Sequence, residues 1–198
     1  MKAKNIILGV TASIAIYKAC EVVRKLLEPN LHLNVVMTKN ATQLISPRVF
    51  SSLIGGQVYP VRKRASTQGR TQLSNGVYWD EFVSPSDWGM EHICLAKRAD
   101  LVLIAPATAN IIGKIANGIA DDLLSTTVMA TRAPVLIAPA MNENMFKNNI
   151  VQGNIQRLKN LGFKFIGPNK GRLACGDVGL GCLAEIETIV REVKRFLK

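Results

Sequence analysis

The sequence predicts an α/β fold, a doubly wound parallel sheet with helices on both faces, in one domain spanning residues 1–198. Three observations predict it. Short apolar runs, the clearest being Asn5 to Val10, Leu101 to Ala105 and Pro134 to Ala138, are bounded by turn residues as buried strands are. Amphipathic stretches separate them, and such alternation gives parallel neighbours joined by right-handed crossovers. Length sets the third limit: 198 residues, 48% of them hydrophobic, can bury one sizeable core, and no composition shift marks a second domain.

In chain order, Asn5 to Val10 is the first strand and Thr11, Ala12 and Ser13 turn into an amphipathic helix from about Ile14 to Leu27. Ser13 can cap that helix, whose free N–H groups and positive dipole end suit an anion; a plain strand-to-helix turn is the other reading. Leu33 to Met37 is the second strand, and Thr38, Lys39 and Asn40 open a helix running towards Ser46. Pro47 suits the first turn of a further helix that ends at Gly55-Gly56. From Gln57 to Gly89 the reading is a short strand around Val58 and Tyr59, a basic Ser/Thr/Gly-rich loop, and an extended piece from Val77 to Trp79. A loop of that length is expected near a ligand or a partner subunit.

The pattern sharpens at Glu91 into a short helix, then the strand Leu101 to Ala105, with Thr108 and Asn110 just beyond it. A helix over Asp121 to Thr131, the strand Pro134 to Ala138, a helix over Asn149 to Leu161, the strand Lys164 to Ile166 and a final helix over Glu185 to Leu197 complete the chain. Open sheets of this kind place ligands at the carboxyl ends of their strands. Chemistry is therefore expected around Asn142, in the APAMNENM segment that follows the strand ending at Ala138.

Composition narrows the function classes. The formal charge of +11 raises nucleic acid, but the cationic residues are scattered; the one tight cluster, Arg62, Lys63 and Arg64, has no interleaved aromatics for base stacking. Solvated helix faces or attraction of a small anionic substrate explain the charge better. Cys20, Cys94, Cys175 and Cys182 have no CxxC spacing, and with two histidines a structural zinc site is not expected. All four read as thiols. No apolar stretch is long enough for a membrane span and no signal-peptide pattern opens the chain, so the expectation is a cytoplasmic protein.

Three polar residues stand out, each with a plainer alternative. His92 can handle a proton near neutral pH, or be an ordinary helix histidine. Asn142 offers an amide donor and an acceptor for a carboxylate or amide, or simply caps a turn after a strand. Cys175 can deliver a proton, or be an inert buried thiol.

The motifs GVTASIAIYK from Gly9, EHICLAKRADLVLIAPATANIIGKIANGIADDLL from Glu91, APAMNENM from Ala138 and RLACGDVG from Arg172 settle the weighting. In this order they resemble the flavin-dependent cysteine decarboxylases over nearly the whole chain. PAMN is shared with the lantibiotic peptidyl-cysteine decarboxylases. PAMN combined with ACGD and an upstream His is similar to the phosphopantothenoylcysteine decarboxylase branch, which serves coenzyme A biosynthesis.

The resemblance implies a Rossmann-like sheet and bound FMN, without a metal. It also implies a homotrimer, or a higher multiple of three, with the active site at a subunit boundary. By position it implies flavin contacts from Ser13, Ile14, Thr38, Lys39, Asn40, Thr108, Ala109, Asn110 and Ala140. His92, Asn142 and Cys175 match catalytic positions, and Asn142, Met145 and Lys18 the substrate site. The implied substrate is 4'-phosphopantothenoylcysteine. In the family reaction the flavin takes electrons from the cysteinyl thiol to give a thioaldehyde, carbon dioxide leaves into that sink, and the resulting enethiol is reduced to 4'-phosphopantetheine.

Three positions depart from the family pattern: Ala12 where Gly is common, Phe146 where Trp or Tyr is common, and Cys182 where Arg or a small apolar residue is common. In many bacteria the decarboxylase is fused to a phosphopantothenate–cysteine ligase, and the chain ends where such a partner begins, so a stand-alone enzyme and a domain of a bifunctional protein are both open. The competing functions are a peptidyl-cysteine decarboxylase and a non-catalytic regulatory flavoprotein; ACGD speaks against the first, and the joint presence of His92, Asn142 and Cys175 against the second.

Overall fold

Strand β1 (Lys4–Val10) is buried along six of its seven residues and pairs in parallel with β2 (Leu31–Met37) on one side and β5 (Leu101–Ala107) on the other. Burial on both faces is why it reads as an unbroken apolar run. The computed structural model describes residues 3–60, 75–79 and 90–198. β3 (Gln57–Pro60) and β4 (Gly76–Trp79) extend the sheet beyond β2, and β6 (Val135–Pro139) and β7 (Lys164–Phe165) extend it beyond β5. The order is β3-β4-β2-β1-β5-β6-β7, and every pair is parallel. The doubly wound α/β reading holds.

Strand periodicity sorts the core into two layers. Ile6, Leu8, Val10 and Leu103 face α1 (Ile16–Leu26), α3 (Pro47–Ile54) and α9 (Ile186–Leu197), whereas Ile7, Val36, Val102 and Ile104 face the layer of α4 (Glu91–Arg98), α5 (Ala109–Ala116), α6 (Leu123–Ala130) and α8 (Asn149–Asn160). α9 shows the sequence logic in its simplest form: Ile186, Ile189, Val190 and Val193 fall on one helical stripe and are buried. Each such side chain contributes about 1.5–3 kcal/mol by leaving water. The exposed Lys25–Glu187 and Lys194–Glu28 pairs, which tie α1 and the turn after it to α9, add little beside that.

Several boundaries move. α1 begins at Ile16, and its N-cap, Ala15, has no side-chain hydrogen bond, so Ser13 is not the helix cap. Between β2 and α3 lies only the short α2 (Lys39–Leu44), because Ser46 starts α3 by accepting from Arg48 N. Gly55 ends α3 at φ 60, where a side chain would be strained. Unassigned from the sequence were α5, the five-residue α7 (Glu143–Lys147), and an antiparallel hairpin of β8 (Asn169–Arg172) and β9 (Val178–Cys182). The Arg62–Arg64 cluster and most of the loop expected between the two strand pieces (residues 61–74), together with residues 80–89, lie outside the described residues.

α6 opens on a capping box. Asp122 accepts from Ser125 N at 2.7 Å, Ser125 Oγ accepts from Asp122 N at 3.2 Å, and Lys114 Nζ stands 2.7 Å from the Asp122 carboxylate. Asp122→Ala is expected to lower the stability of the chain by roughly 1–2 kcal/mol, read as a lower urea midpoint with unchanged slope. A midpoint equal to the parent's would show that this cap contributes nothing.

Candidate active site

The chain leaves β1 for β2 on one side and later returns to fill β5 on the other, so the strand order reverses at β1/β5. The loops there are tied by side chains. Thr11 Oγ1 donates to Pro106 O at 2.7 Å and accepts from Thr108 N at 3.1 Å; Ser13 Oγ donates to Ala140 O at 3.1 Å and accepts from Ala15 N at 3.3 Å. Both hydroxyl residues are buried, which the sequence showed only for their position in a turn. Thr38 N donates to Val10 O, and Ala140 N to Ala107 O, extending the same web to the ends of β2 and β6. Ala12 sits in it without a left-handed φ, so the backbone does not require the glycine common in the family.

The flavin positions implied by resemblance thus lie at the ends of four neighbouring strands: Thr38, Lys39 and Asn40 after β2, Ser13 and Ile14 after β1, Thr108, Ala109 and Asn110 after β5, and Ala140 after β6. The donor chemistry fits a phosphate-bearing flavin. Thr38 and Thr108 cap α2 and α5 by accepting from Ala41 N and Ile111 N, while the remaining first-turn amides have no partner in the helix. None of α1, α2 and α5 carries an acidic residue in its first turn, whereas α4 and α7 do, with Glu91 and Glu143. Anion attraction is kept where the loops meet.

Asn142 and Cys175 are brought together from 33 positions apart. Asn142 Oδ1 caps α7 by accepting from Asn144 N at 2.8 Å, which leaves Nδ2 to face Cys175 Sγ at 3.7 Å. The capping alternative for Asn142 is realised, and its amide nitrogen stays directed at Cys175. Cys175 lies in the turn between β8 and β9, is exposed rather than buried, and donates to Asp177 Oδ2 at 3.4 Å. All four cysteines are free thiols, and burial pushes the Cys20 thiol upward in pKa.

The hairpin reaches Asn142 because glycines let it. Met141 N donates to Gly181 O at 3.0 Å, and a Cβ on Gly181 would stand 2.1 Å from Met141 O. Leu180 N donates to Glu143 Oε1 at 3.1 Å, and a Cβ on Gly179 would stand 2.6 Å from Glu143 Oε2. The Lys147 ammonium, 2.9 Å away, and the Leu180 amide hold the Glu143 carboxyl below its usual range. Sequence reasoning missed Thr11, Glu143, Gly179 and Gly181; the alternating glycines of Val178–Cys182 were the one available signal. Cys182 packs behind the turn, with Sγ 3.4 Å from Arg172 O.

Among the described residues no hydrogen bond joins His92 to Asn142 or Cys175. His92 is the second residue of α4, half exposed, and its side chain makes no hydrogen bond among the described residues. Met145 is 49% exposed beside Asn142, and Ile14 is 67% exposed after β1, so both are available to a ligand or a neighbouring subunit. Lys18 is half buried in the first turn of α1. Among the described residues no helix is long and apolar enough to cross a membrane, and no group of His, Cys, Asp and Glu is arranged to hold a metal ion.

Comparison with known proteins bears on the family of the chain as a whole. The chain is 43% identical over 188 residues to the coenzyme A biosynthesis bifunctional protein CoaBC of Bacillus subtilis, a match covering 95% of this chain and 42% of that protein. It therefore spans less than half the length of that relative. With the probable phosphopantothenoylcysteine decarboxylase of Streptococcus mutans it shares 38% identity over 196 residues, covering 98% of this chain and 99% of the other. A solved structure of a PPC decarboxylase cysteine-to-serine mutant complexed with pantothenoylaminoethenethiol superposes with a TM-score of 0.78 at 27% identity, over 99% of both chains. The Flavoprotein family model matches residues 1–198. This chain belongs to the Flavoprotein family.

Proposed function

We propose that the chain catalyses the FMN-dependent decarboxylation of 4'-phosphopantothenoylcysteine to 4'-phosphopantetheine, with residues 1–198 as its flavoprotein domain. The observation that carries this reading is the Asn142 amide facing the exposed Cys175 thiol beside anion-ready helix ends. The family relationship and the similarity to the Streptococcus mutans protein support it.

When bound, FMN supplies the electron sink and source for the two redox steps. Ser13, Thr38, Lys39, Asn40, Thr108, Ala109, Asn110 and Ala140 would hold it, through amides, hydroxyls and backbone at the four strand ends, with Ile14 against its apolar part. Asn142 Nδ2 donates to the substrate carboxylate and holds it next to the reacting carbon. His92 moves the thiol proton during oxidation. Cys175 gives a proton to the enethiol in the closing reduction. Met145 and Lys18 line the rest of the substrate site, Met145 against its apolar arm and Lys18 towards its anionic end.

A homotrimer, or a multiple of three, fits the exposure of Ile14 and Met145 and the lack of any hydrogen bond between His92 and Asn142 among the described residues. The cytoplasm is the proposed location. A phosphopantothenate–cysteine ligase, fused or separate, is the proposed supplier of substrate. The rival peptidyl-cysteine reading gains nothing from Cys175, because an enzyme that releases its product as the enethiol needs no proton donor there.

The test is to incubate the purified protein anaerobically with 4'-phosphopantothenoylcysteine and follow the product by mass spectrometry. Loss of one carbon dioxide with recovery of the saturated thiol is expected; unchanged substrate would sink the reading. Cofactor released by heat should be FMN. A nicotinamide nucleotide, or folded protein unable to take up FMN, would overturn the cofactor assignment.

A further inference from the structure

We propose that Glu143 is a positioning residue that latches the β8–β9 hairpin onto the loop carrying Asn142 and so fixes where Cys175 stands. The catalytic consequence rests on the decarboxylase reading. Its basis is the way two consecutive residues divide one task. Asn142 faces Cys175 at the turn of the hairpin, while Glu143 accepts from Leu180 N, five positions further along the same hairpin. Only one other described hydrogen bond, Met141 N to Gly181 O, ties this loop to β9.

The contact is built from both sides. Gly179 has no side chain where the Glu143 carboxylate lies; a Cβ there would meet Oε2 at 2.6 Å, Cδ at 2.7 Å and Glu143 Cβ at 3.1 Å. Any larger residue would expel the carboxylate. Glu143 is in turn held by Lys147 Nζ one helical turn away, at 2.9 Å, and Lys170 on β8 adds a favourable field. The latch is a charge-assisted hydrogen bond from a backbone amide, the kind that holds direction as well as distance.

A proton donor works only when placed within hydrogen-bond reach of its acceptor carbon, and misplacement lowers its rate far more than its binding. Loss of the latch therefore falls on the step that uses Cys175. Oxidation and loss of carbon dioxide rely on Asn142, which keeps its own cap to Asn144 N without Glu143's carboxylate.

The experiment compares Glu143→Ala, Glu143→Gln and Gly179→Ala in the full chain. Hydrogen exchange of the peptide containing Leu180 needs no substrate and reads the latch directly. It should speed roughly tenfold in Glu143→Ala and Gly179→Ala, the factor expected for one lost hydrogen bond, while Glu143→Gln, which retains an acceptor oxygen, stays near the parent. With substrate, the first two variants should release carbon dioxide near the parent rate but raise the ratio of enethiol to phosphopantetheine about tenfold. Combining Glu143→Ala with Gly179→Ala should add little to either alone, since both remove the same contact. Parent-like exchange and product ratio in Glu143→Ala would overturn the proposal. If exchange responds as expected and the parent releases no carbon dioxide, the latch stands and the decarboxylase reading fails.

Discussion

Cys175→Ser is expected to release carbon dioxide and stop there, accumulating the enethiol. The exposed thiol stands 3.7 Å from Asn142 Nδ2, on a hairpin that is also seated by the Leu180 N–Glu143 and Met141 N–Gly181 O bonds, and a serine hydroxyl can replace the thiol's own contacts, so the substitution is expected to leave the site's geometry in place. After decarboxylation the substrate's former Cα and Cβ form a carbon–carbon double bond. Closing the reaction requires a hydride equivalent at one carbon and a proton at the other. A thiol is a far stronger acid than a serine hydroxyl, so the variant keeps the shape and loses the proton source. Mass spectrometry should show a product about two mass units lighter than phosphopantetheine, with yield of the saturated thiol reduced by at least about a hundredfold, the usual scale of a general-acid contribution. Phosphopantetheine formed at the parent rate would remove Cys175 from the mechanism and turn attention to Cys182.

What could be read from the sequence follows from where water is excluded. β1, β5 and β6 announce themselves as apolar runs because both faces of each are covered, and α9 because one stripe of it is. The β8–β9 hairpin carries no such signal: NKGR and VGLGC are polar or glycine-rich, and the hairpin is seated by backbone approach at Gly179 and Gly181. Ser13 misled for a different reason. A serine just after a strand has the chemistry of a cap, but here its hydroxyl donates across the site to Ala140 O and accepts only from Ala15 N, ahead of the helix. The three catalytic candidates were visible as residue types, and their roles came from resemblance. The adjacency of Asn142 to Cys175 came from neither period nor spacing, since it depends on those two glycines and on Glu143. His92 falls on α4 with no side-chain hydrogen bond among the described residues to identify its partner.

That isolation gives a second large effect, because a site shared between subunits makes an unusual demand on mixtures of inactive proteins. His92→Asn should fold, since the His92 side chain makes no hydrogen bond among the described residues, and should retain FMN. Asn142→Asp should fold as well, because aspartate caps a helix as well as asparagine and preserves the bond to Asn144 N. Each alone is expected to lose carbon dioxide release by at least about a hundredfold, His92→Asn through the lost proton carrier. Asn142→Asp loses its amide donor and places a like charge against the substrate carboxylate. If each site takes His92 from one subunit and Asn142 with Cys175 from the next, co-assembly of the two variants in equal amounts restores some complete sites. In a closed ring with one such interface per subunit, about a quarter of the sites then combine the two intact halves, and carbon dioxide release should recover to about that fraction. Light scattering of the same sample should give a multiple of three subunits. Mixed assemblies as inactive as either variant alone, with mixing verified by two affinity tags, would place all three residues in one chain's site and refute the shared arrangement.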